Sequence, residues 1–330
     1  MEALPAASLP VGPEWQYEPK WDGFRCLAFR NGKTIELESK AGKPLTRYFP
    51  ELASSLSSLR ATQFVLDGEI VIPAGKALSF DHLLMRIHPS KSRVEKLSKE
   101  TPSLFIVFDL LVNDAGKSLV KRSLEERRAE MDSFASKYLK GAKAIRLSPR
   151  TLEISKARSW FHMGTAVDGV IAKRRDLPYQ TGTRTGMQKI KRMRTADCVV
   201  GGFRYLEKQP LVGSLLLGLY NRAGQLDHVG FTSSINAEIR SALTRKLQKL
   251  IKPPGFTGKA PGGPSRWSSK RSSEWEPLNP KLVVEVQFDH FTGGRFRHGT
   301  KFLRWRPDKK PSSCTMDQVE REKRSALNLL

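Results

Sequence analysis

The sequence predicts an α+β chain of two domains, the second a small β-barrel. Three observations carry this. The 330 residues suffice for roughly two domains of ordinary size. As far as about residue 195, short β-branched and aromatic segments alternate with helical stretches, the pattern of antiparallel strands interrupted by helices rather than a regular doubly wound sheet. From Asp197 onward, strand-like segments follow one another through glycine-containing turns, for which a barrel is the economical arrangement.

In chain order, Arg25–Arg30 and Thr34–Leu37 read as strands joined by the turn Asn31-Gly32. Glu51–Leu59 reads as a helix, Phe64–Ile72 as a strand region with a second turn signal at Asp67-Gly68, and Leu104–Leu111 as a strand. Leu124, Met131, Phe134 and Tyr138, set among charges, give Leu124–Leu139 a helical period. In the second half CVVGGFRYL, GSLLLGLYNRAGQLDHVGFTS and KLVVEVQFDHF read as strands, with one helix around Ala237–Leu250. Ile251–Trp267 holds too many Pro and Gly for a regular element and reads as an exposed loop, and Pro311–Leu330 reads as a partly ordered tail. No internal repeat is present in the sequence.

The hydrophobic fraction of 39% and 6 Trp can furnish cores, which argues against wholesale disorder. The excess of 57 Lys+Arg over 33 Asp+Glu, +24 in all, calls for a polyanionic partner, and nucleic acid leads among these. Cys26, Cys198 and Cys314 are far apart and odd in number, so neither a zinc ribbon nor a disulfide framework is indicated, and free thiols in a reducing cytosol are expected. No signal peptide is read at the start and no apolar run approaches the about 18 residues of a membrane span, so a soluble intracellular protein with no membrane partner is expected.

The stretch YEPKWDGFRC sets Lys20 close to Glu18, Asp22-Gly23 and Arg25. A lysine amine attacks only when deprotonated, and its ordinary pKa of about 10.4 keeps it charged at neutrality, so an activating partner is needed. Downstream, FVLDGEIVI puts Asp67 and Glu69 on one strand face, VDGVIAKRR offers Asp168 and Lys173, and MQKIKRMR puts Lys189 and Lys191 on one face. Acidic side chains of this kind can hold Mg²⁺, and paired lysines can grip a phosphate. Each piece alone has a duller reading as a turn, a strand entry or a solvated face. Their joint occurrence in this order describes a magnesium-nucleotide site with a lysine nucleophile. There is no GxxxxGKS/T loop, so a P-loop ATPase would lack its phosphate cradle.

These residues resemble the covalent nucleotidyltransferases, and within them the ATP-dependent DNA ligases of the short bacterial two-domain type. Lys20-x-Asp22-Gly23-x-Arg25 is similar to the nucleotide-accepting motif; Asp67-Gly68-Glu69, Phe108–Leu111, Asp168–Lys173, Lys189–Lys191 and Phe302–Lys309 follow in family order. The resemblance implies an ATP-grasp-like nucleotidyltransferase (adenylation) core over residues 1–195 and an OB-fold β-barrel over 196–330. It implies that Lys20 attacks the α-phosphate of ATP and carries AMP as a covalent adduct, that AMP passes to the 5′-phosphate of a nick, and that the 3′-hydroxyl then displaces it. Lys20, Asp22, Lys189 and Lys191 would be catalytic. Glu18 would read the adenine amino group, Arg25 and Glu69 the ribose, and Phe108 would stack on the base. Lys173, Lys189 and Lys191 would join the nucleotide contacts, and Arg304, Arg306, Asp308 and Lys309 would close over ATP from the second domain about a hinge near Arg194–Asp197. Asp67, Glu69 and Asp168 would hold Mg²⁺ or Mn²⁺.

Two departures stand out. Asp168 is one methylene shorter than the Glu usual there, and Lys40 replaces an Arg at a nick-contacting position, keeping charge but losing the bidentate fork. The cations of Lys189 and Lys191 are expected to disfavour a protonated Lys20. Between Lys173 and Arg194 eight basic residues face one acid, Asp176, and Arg174, Arg184, Arg192 and Arg194, with Lys40, are the expected DNA contacts. Charge without base reading suits an enzyme acting at any sequence. A monomer is implied, with nicked duplex DNA and repair proteins as partners, in the cytoplasm and associated with the nucleoid. The alternatives are an RNA ligase or mRNA-capping-type guanylyltransferase, which shares the lysine motif, and a non-catalytic nucleic-acid-binding protein. An NAD-dependent ligase fits poorly, because its zinc region would need a cysteine cluster.

Overall fold

The computed structural model describes residues 1–75, 77–163, 167–262, 274–319 and 329–330. The chain divides into two units, one built on residues up to Arg192 and joined by Leu329 and Leu330, the other running from Met193.

The first unit runs β1 (Leu4–Pro5), β2 (Trp15–Trp21), β3 (Phe24–Asn31), β4 (Thr34–Ser39), α1 (Pro50–Ser57), β5 (Gln63–Val71), β6 (Pro73–Ala74), β7 (Ala77–Leu78), α2 (Phe80–Arg86), α3 (Lys91–Glu100), β8 (Leu104–Val112), α4 (Leu124–Phe134), β9 (Ile145–Leu147), α5 (Ile154–Ser159), β10 (Val167–Arg174) and β11 (Met187–Lys191). Two sheets dominate it: a five-stranded one ordered β4-β3-β5-β8-β9 and a four-stranded one ordered β1-β11-β10-β2. Val71 and Ile106 of the first sheet share an apolar cluster with Tyr17, Trp21, Val170 and Ile190 of the second. Other side chains of the five-stranded sheet, among them Phe64, Leu66 and Leu110, are buried with Leu52 and Leu56 of α1 and Met131 and Phe134 of α4. Ser123 opens α4 with a capping box to Glu126, and the helix continues as a wider turn through Ala135–Leu139, so the helical period read over Leu124–Leu139 spans both.

The turn that joins β3 to β4 is Gly32-Lys33, one residue on from the Asn31-Gly32 expected, because Asn31 still pairs with Thr34; Gly32 stands at φ +59°. Asp67-Gly68 is not a turn. It lies inside β5, which runs through it unbroken beside β3, while the ladder to β8 skips a residue there. The physical reason is close packing: a Cβ at position 68 would sit 2.6 Å from the Ile106 carbonyl, so glycine serves strand contact here rather than chain reversal.

The second unit runs β12 (Arg194–Leu206), β13 (Gln209–Tyr220), β14 (Leu226–Thr232), α6 (Arg240–Gln248), β15 (Glu276–Pro277), β16 (Val283–Phe288), β17 (Phe291–Thr292), β18 (Arg295–Phe296) and β19 (Lys301–Trp305). Its sheet is ordered β14-β13-β12-β16-β19. The two edges approach through a parallel bridge, Thr232 to Thr300, and through Phe302 N donating to Ser234 Oγ at 2.8 Å; among the described residues no continuous ladder closes the ring. Leu215, Leu217, Val284 and Val286 fill its interior together with Leu243 and Leu247 of α6.

Three expectations need amending. Part of the Ile251–Trp267 loop is anchored: Phe256 is buried, and its ring lies 2.6 Å from where a Cβ at Gly201 would stand. Residues 263–267 of that loop lie outside the described residues. Pro311–Val319 packs with Cys314 and Val319 buried, and residues 320–328 of the expected tail lie outside the described residues. Arg194–Asp197 forms the paired start of β12, opposite Phe288–Glu285, so the residues between strands β11 and β12 are Arg192 and Met193.

Candidate active site at the Lys20 cleft

Strand β2 alternates, and the alternation builds the site. Trp15, Tyr17 and Trp21 enter the apolar cluster, while Gln16, Glu18 and Lys20 share the opposite face. Opposite them on β10, Lys173 pairs in register with Gln16 and Ile171 with Glu18. The result is a cleft of about 310 Å³ whose lining includes Glu18, Lys20, Arg25, Glu69, Phe108 and Lys173, with Lys40 and Lys189 also on its wall.

Lys20 Nζ lies 2.8 Å from Asp168 Oδ2, an ion pair with little solvent exposure. Burial alone would lower the pKa of this amine, but Asp168, Glu69 and Asp22 together raise it above the ordinary lysine value. The expectation that Lys189 and Lys191 would disfavour a protonated Lys20 is therefore corrected, because the carboxylates, led by Asp168 at 2.8 Å, outweigh them. Lys189 carries the complementary effect, its own pKa being lowered by burial and then by Lys191 and Lys20. Lys189 lines the cleft; Lys191, two residues on, is outside the lining.

Glu69 is pushed up to about 8 by burial, with Asp67 and Asp22 adding to the effect against Lys20 and Arg25. Asp67 behaves oppositely, its pKa lowered by Arg25 despite complete burial. Arg25 grips it in bidentate fashion, Nε to Oδ1 at 3.0 Å and Nη2 to Oδ2 at 2.6 Å, and Tyr179 donates to Oδ2 at 2.8 Å. With both oxygens so occupied, Asp67 is a holder of Arg25; of the other two acids expected to bind metal, Glu69 lines the cleft and Asp168 pairs with Lys20. Asp22 and Asp168 bring carboxylate oxygens within 4.8 Å of each other. Several hard oxygen donors crowded round one amine, one of them protonated near neutrality, form a donor set that suits a divalent cation.

Phe108 reaches the cleft because of a β-bulge. The β5–β8 register passes from Asp67–Asp109 to Gly68–Val107, leaving Phe108 as the extra residue, and a bulge re-aims such a side chain. Lys173 Nζ lies 4.4 Å from its ring centroid and the Arg25 guanidinium 5.7 Å. Gly169 is equally constrained: at φ +151°, a Cβ there would meet the Ile190 carbonyl at 2.0 Å.

The expected DNA contacts are spread more widely. Lys40 and Arg184 both pair with Glu2, at 2.9 and 3.0 Å. Arg174 is held by Asp176 at 2.7 Å, the backbone N–H of Arg192 donates to Asp168 O, and Arg194 stands in the second unit, donating to Gln318 O. In that unit Arg306 binds Asp197 at 2.8 Å and Asp308 at 2.8 Å, Arg304 binds Glu285 at 2.6 Å, and Lys309 lies 3.9 Å from Asp197. Sequence reasoning missed Gln16, Tyr179 and Glu2. Gln16 had a usable signal, standing two and four residues before Glu18 and Lys20 on an alternating strand, whereas Tyr179 and Glu2 had none.

Residues 7–191 match the model of the ATP dependent DNA ligase domain and residues 208–309 that of the ATP dependent DNA ligase C terminal region. The chain is 41% identical over 327 residues to DNA ligase C2 of Mycolicibacterium smegmatis, covering 94% of this chain and 91% of that protein. It is 29% identical to the multifunctional non-homologous end joining DNA repair protein LigD of Mycobacterium tuberculosis, covering 92% of this chain and 38% of that one. A solved structure described as a Lig E DNA ligase with a minimal DNA-binding scaffold superposes with a TM-score of 0.55, covering 93% of this chain and 100% of the other; at 16% identity it speaks for the fold alone.

Proposed function

The chain belongs to the ATP-dependent DNA ligase family, and from that membership we propose how its cleft joins DNA in repair. The protein is an ATP-dependent DNA ligase. Lys20 Nζ forms a P–N bond to the α-phosphorus of ATP as the bond to the pyrophosphate oxygen breaks, and the amine gives up its proton. A 5′-phosphate oxygen at a nick then takes the adenylyl group from Lys20. Finally the 3′-hydroxyl oxygen attacks that 5′-phosphorus, expelling AMP and closing the strand.

At each step charge builds on phosphoryl oxygens, so preorganised cations matter more than proton shuttling. Lys189 stands on the cleft wall to meet the α-phosphate, with Lys191 close enough to lower its pKa. Arg25, locked by Asp67, and Glu69 bracket the ribose; Phe108 offers its face to the base, with Glu18 beside it. Glu69 and Asp168 would hold Mg²⁺ or Mn²⁺, which when bound supplies neutralising charge to the phosphates and to the acids around Lys20. Asp168 holds Lys20 in place through the 2.8 Å ion pair, and the proton that the amine gives up passes to solvent. The first unit is the adenylation domain and the second the OB-fold domain, whose Arg304, Arg306, Asp308 and Lys309 orient pyrophosphate. DNA is held chiefly through its phosphates by Lys40, Arg184 and the neighbouring basic residues. We place the working enzyme as a monomer in the bacterial cytoplasm.

The observation that carries this reading is Lys20 inside a cleft that also presents Glu18, Phe108 and Lys189. The test is labelling with α-labelled ATP or GTP and a divalent cation, followed by a 5′-phosphorylated nicked duplex. ATP should label Lys20 and the strand should lengthen, and Lys20→Ala should lose both. Labelling by GTP would move the chain to the guanylyltransferases; sealing without a Lys20 adduct would refute the mechanism.

A further inference from the structure

Behind Glu18 lies a chain of side chains that no step above uses. Gln16 is fully buried. Its Nε2 donates to Glu18 Oε1 at 2.8 Å, and its Oε1 accepts from Arg150 Nη1 at 3.1 Å. Arg150 in turn donates Nη2 to Asp132 Oδ2 at 2.6 Å. A guanidinium has donors and no acceptor, so the amide atom facing Arg150 must be oxygen, and the NH₂ is thereby turned toward Glu18. The other oxygen of Glu18 accepts from Lys173 Nζ at 2.8 Å, again a group that can only donate. Both oxygens of Glu18 thus receive hydrogen from the protein, and what this side chain has left to offer the cleft is lone pairs.

We propose that Gln16 and Arg150 are positioning residues for nucleobase selection, fixing Glu18 as an acceptor that takes the exocyclic amine of adenine and opposes the carbonyl of a 6-oxopurine. The proposal rests on the reading of the Lys20 cleft as the ATP site and adds to it the source of base preference. A purine bearing an amine meets acceptor with donor. Guanine or hypoxanthine meets acceptor with acceptor, and a buried polar pair so mismatched is what a specific site uses to reject an analogue. Arg150 is the far end of the relay and half-exposed, so its role is the orientation of the amide rather than any contact with nucleotide.

The experiment compares Lys20 labelling by α-labelled ATP and by α-labelled purine riboside triphosphate, which lacks the amine, in the unmodified enzyme and in Gln16→Met and Arg150→Met. For Gln16→Met the labelling efficiency with ATP should fall roughly tenfold, chiefly through KM, while that with purine riboside triphosphate stays unchanged, so the preference for the amine collapses. Arg150→Met, at a site better able to tolerate exchange, should shift the preference in the same direction. An equal fall for both nucleotides, or a preference that survives in both variants, would overturn the proposal and leave the lysyl-AMP reading intact. Failure of the unmodified enzyme to label with ATP would instead bring down the reading on which it rests.

Discussion

Lys20 is a protonated amine clasped by Asp168, and the charge around it has to change before it can attack. Strand alternation is a local property and was readable from the motifs, yet the sign of the pKa shift was illegible because it sums charges on three strands and a turn. Glu69 records the same imbalance. Its folded pKa of about 8 lies above the ordinary carboxylate value, so its contribution to stability is fully present below that ordinary value and is lost as pH rises through about 8. Thermal unfolding of the metal- and nucleotide-free protein should show this decline between about pH 4.5 and 8, on the order of a few kcal/mol, and Glu69→Gln should remove it. Magnesium affinity should rise over the same range, because Glu69 must release its proton to bind; calorimetry in buffers of differing ionisation enthalpy would register that proton. Asp67 offers a contrasting case: Asp67→Ala strands Arg25 in a buried site and should cost about 3 to 5 kcal/mol by denaturant unfolding, with loss of ATP binding.

Strands carry the site, and their irregularities aim it. The hairpin at Asn31-Gly32 was readable from sequence to within one residue, because a two-residue turn needs only local residues to be recognised. The identical kind of signal at Asp67-Gly68 misled, because a bulge is defined by the partner strand, and β8 lies far along the chain. Phe108 was picked out by resemblance, while strand periodicity alone would have assigned it to the core. Gly169 gives the sharpest test at this scale. Gly169→Ala forces a Cβ against the Ile190 carbonyl in a backbone conformation that L residues avoid, and should cost about 2 to 4 kcal/mol of stability. The displaced β10–β11 ladder should also slow Lys20 labelling, since Asp168 precedes this glycine and Lys189 lies across from Ile171.

For the molecule as a whole, the net charge of +24 is the property most plainly written in the sequence, and it concerns encounter rather than chemistry. Binding to a nicked duplex should weaken at least about tenfold between 50 and 200 mM salt, because each phosphate contact releases condensed counterions; a flat response in a filter-binding or anisotropy titration would show that charge is not what holds DNA. The sequence shows a change of strand pattern near Asp197 and the chain divides at Met193, whereas nothing in the sequence signals that Leu329 and Leu330 belong to the first unit, as two leucines carry no periodicity. The cysteines bring a practical opening. Cys26, Cys198 and Cys314 are all buried, while Ala3 borders the cleft. A lone thiol installed as Ala3→Cys can therefore take a maleimide fluorophore without competition from native sulfur, converting nucleotide occupancy into an optical signal in an otherwise unaltered chain.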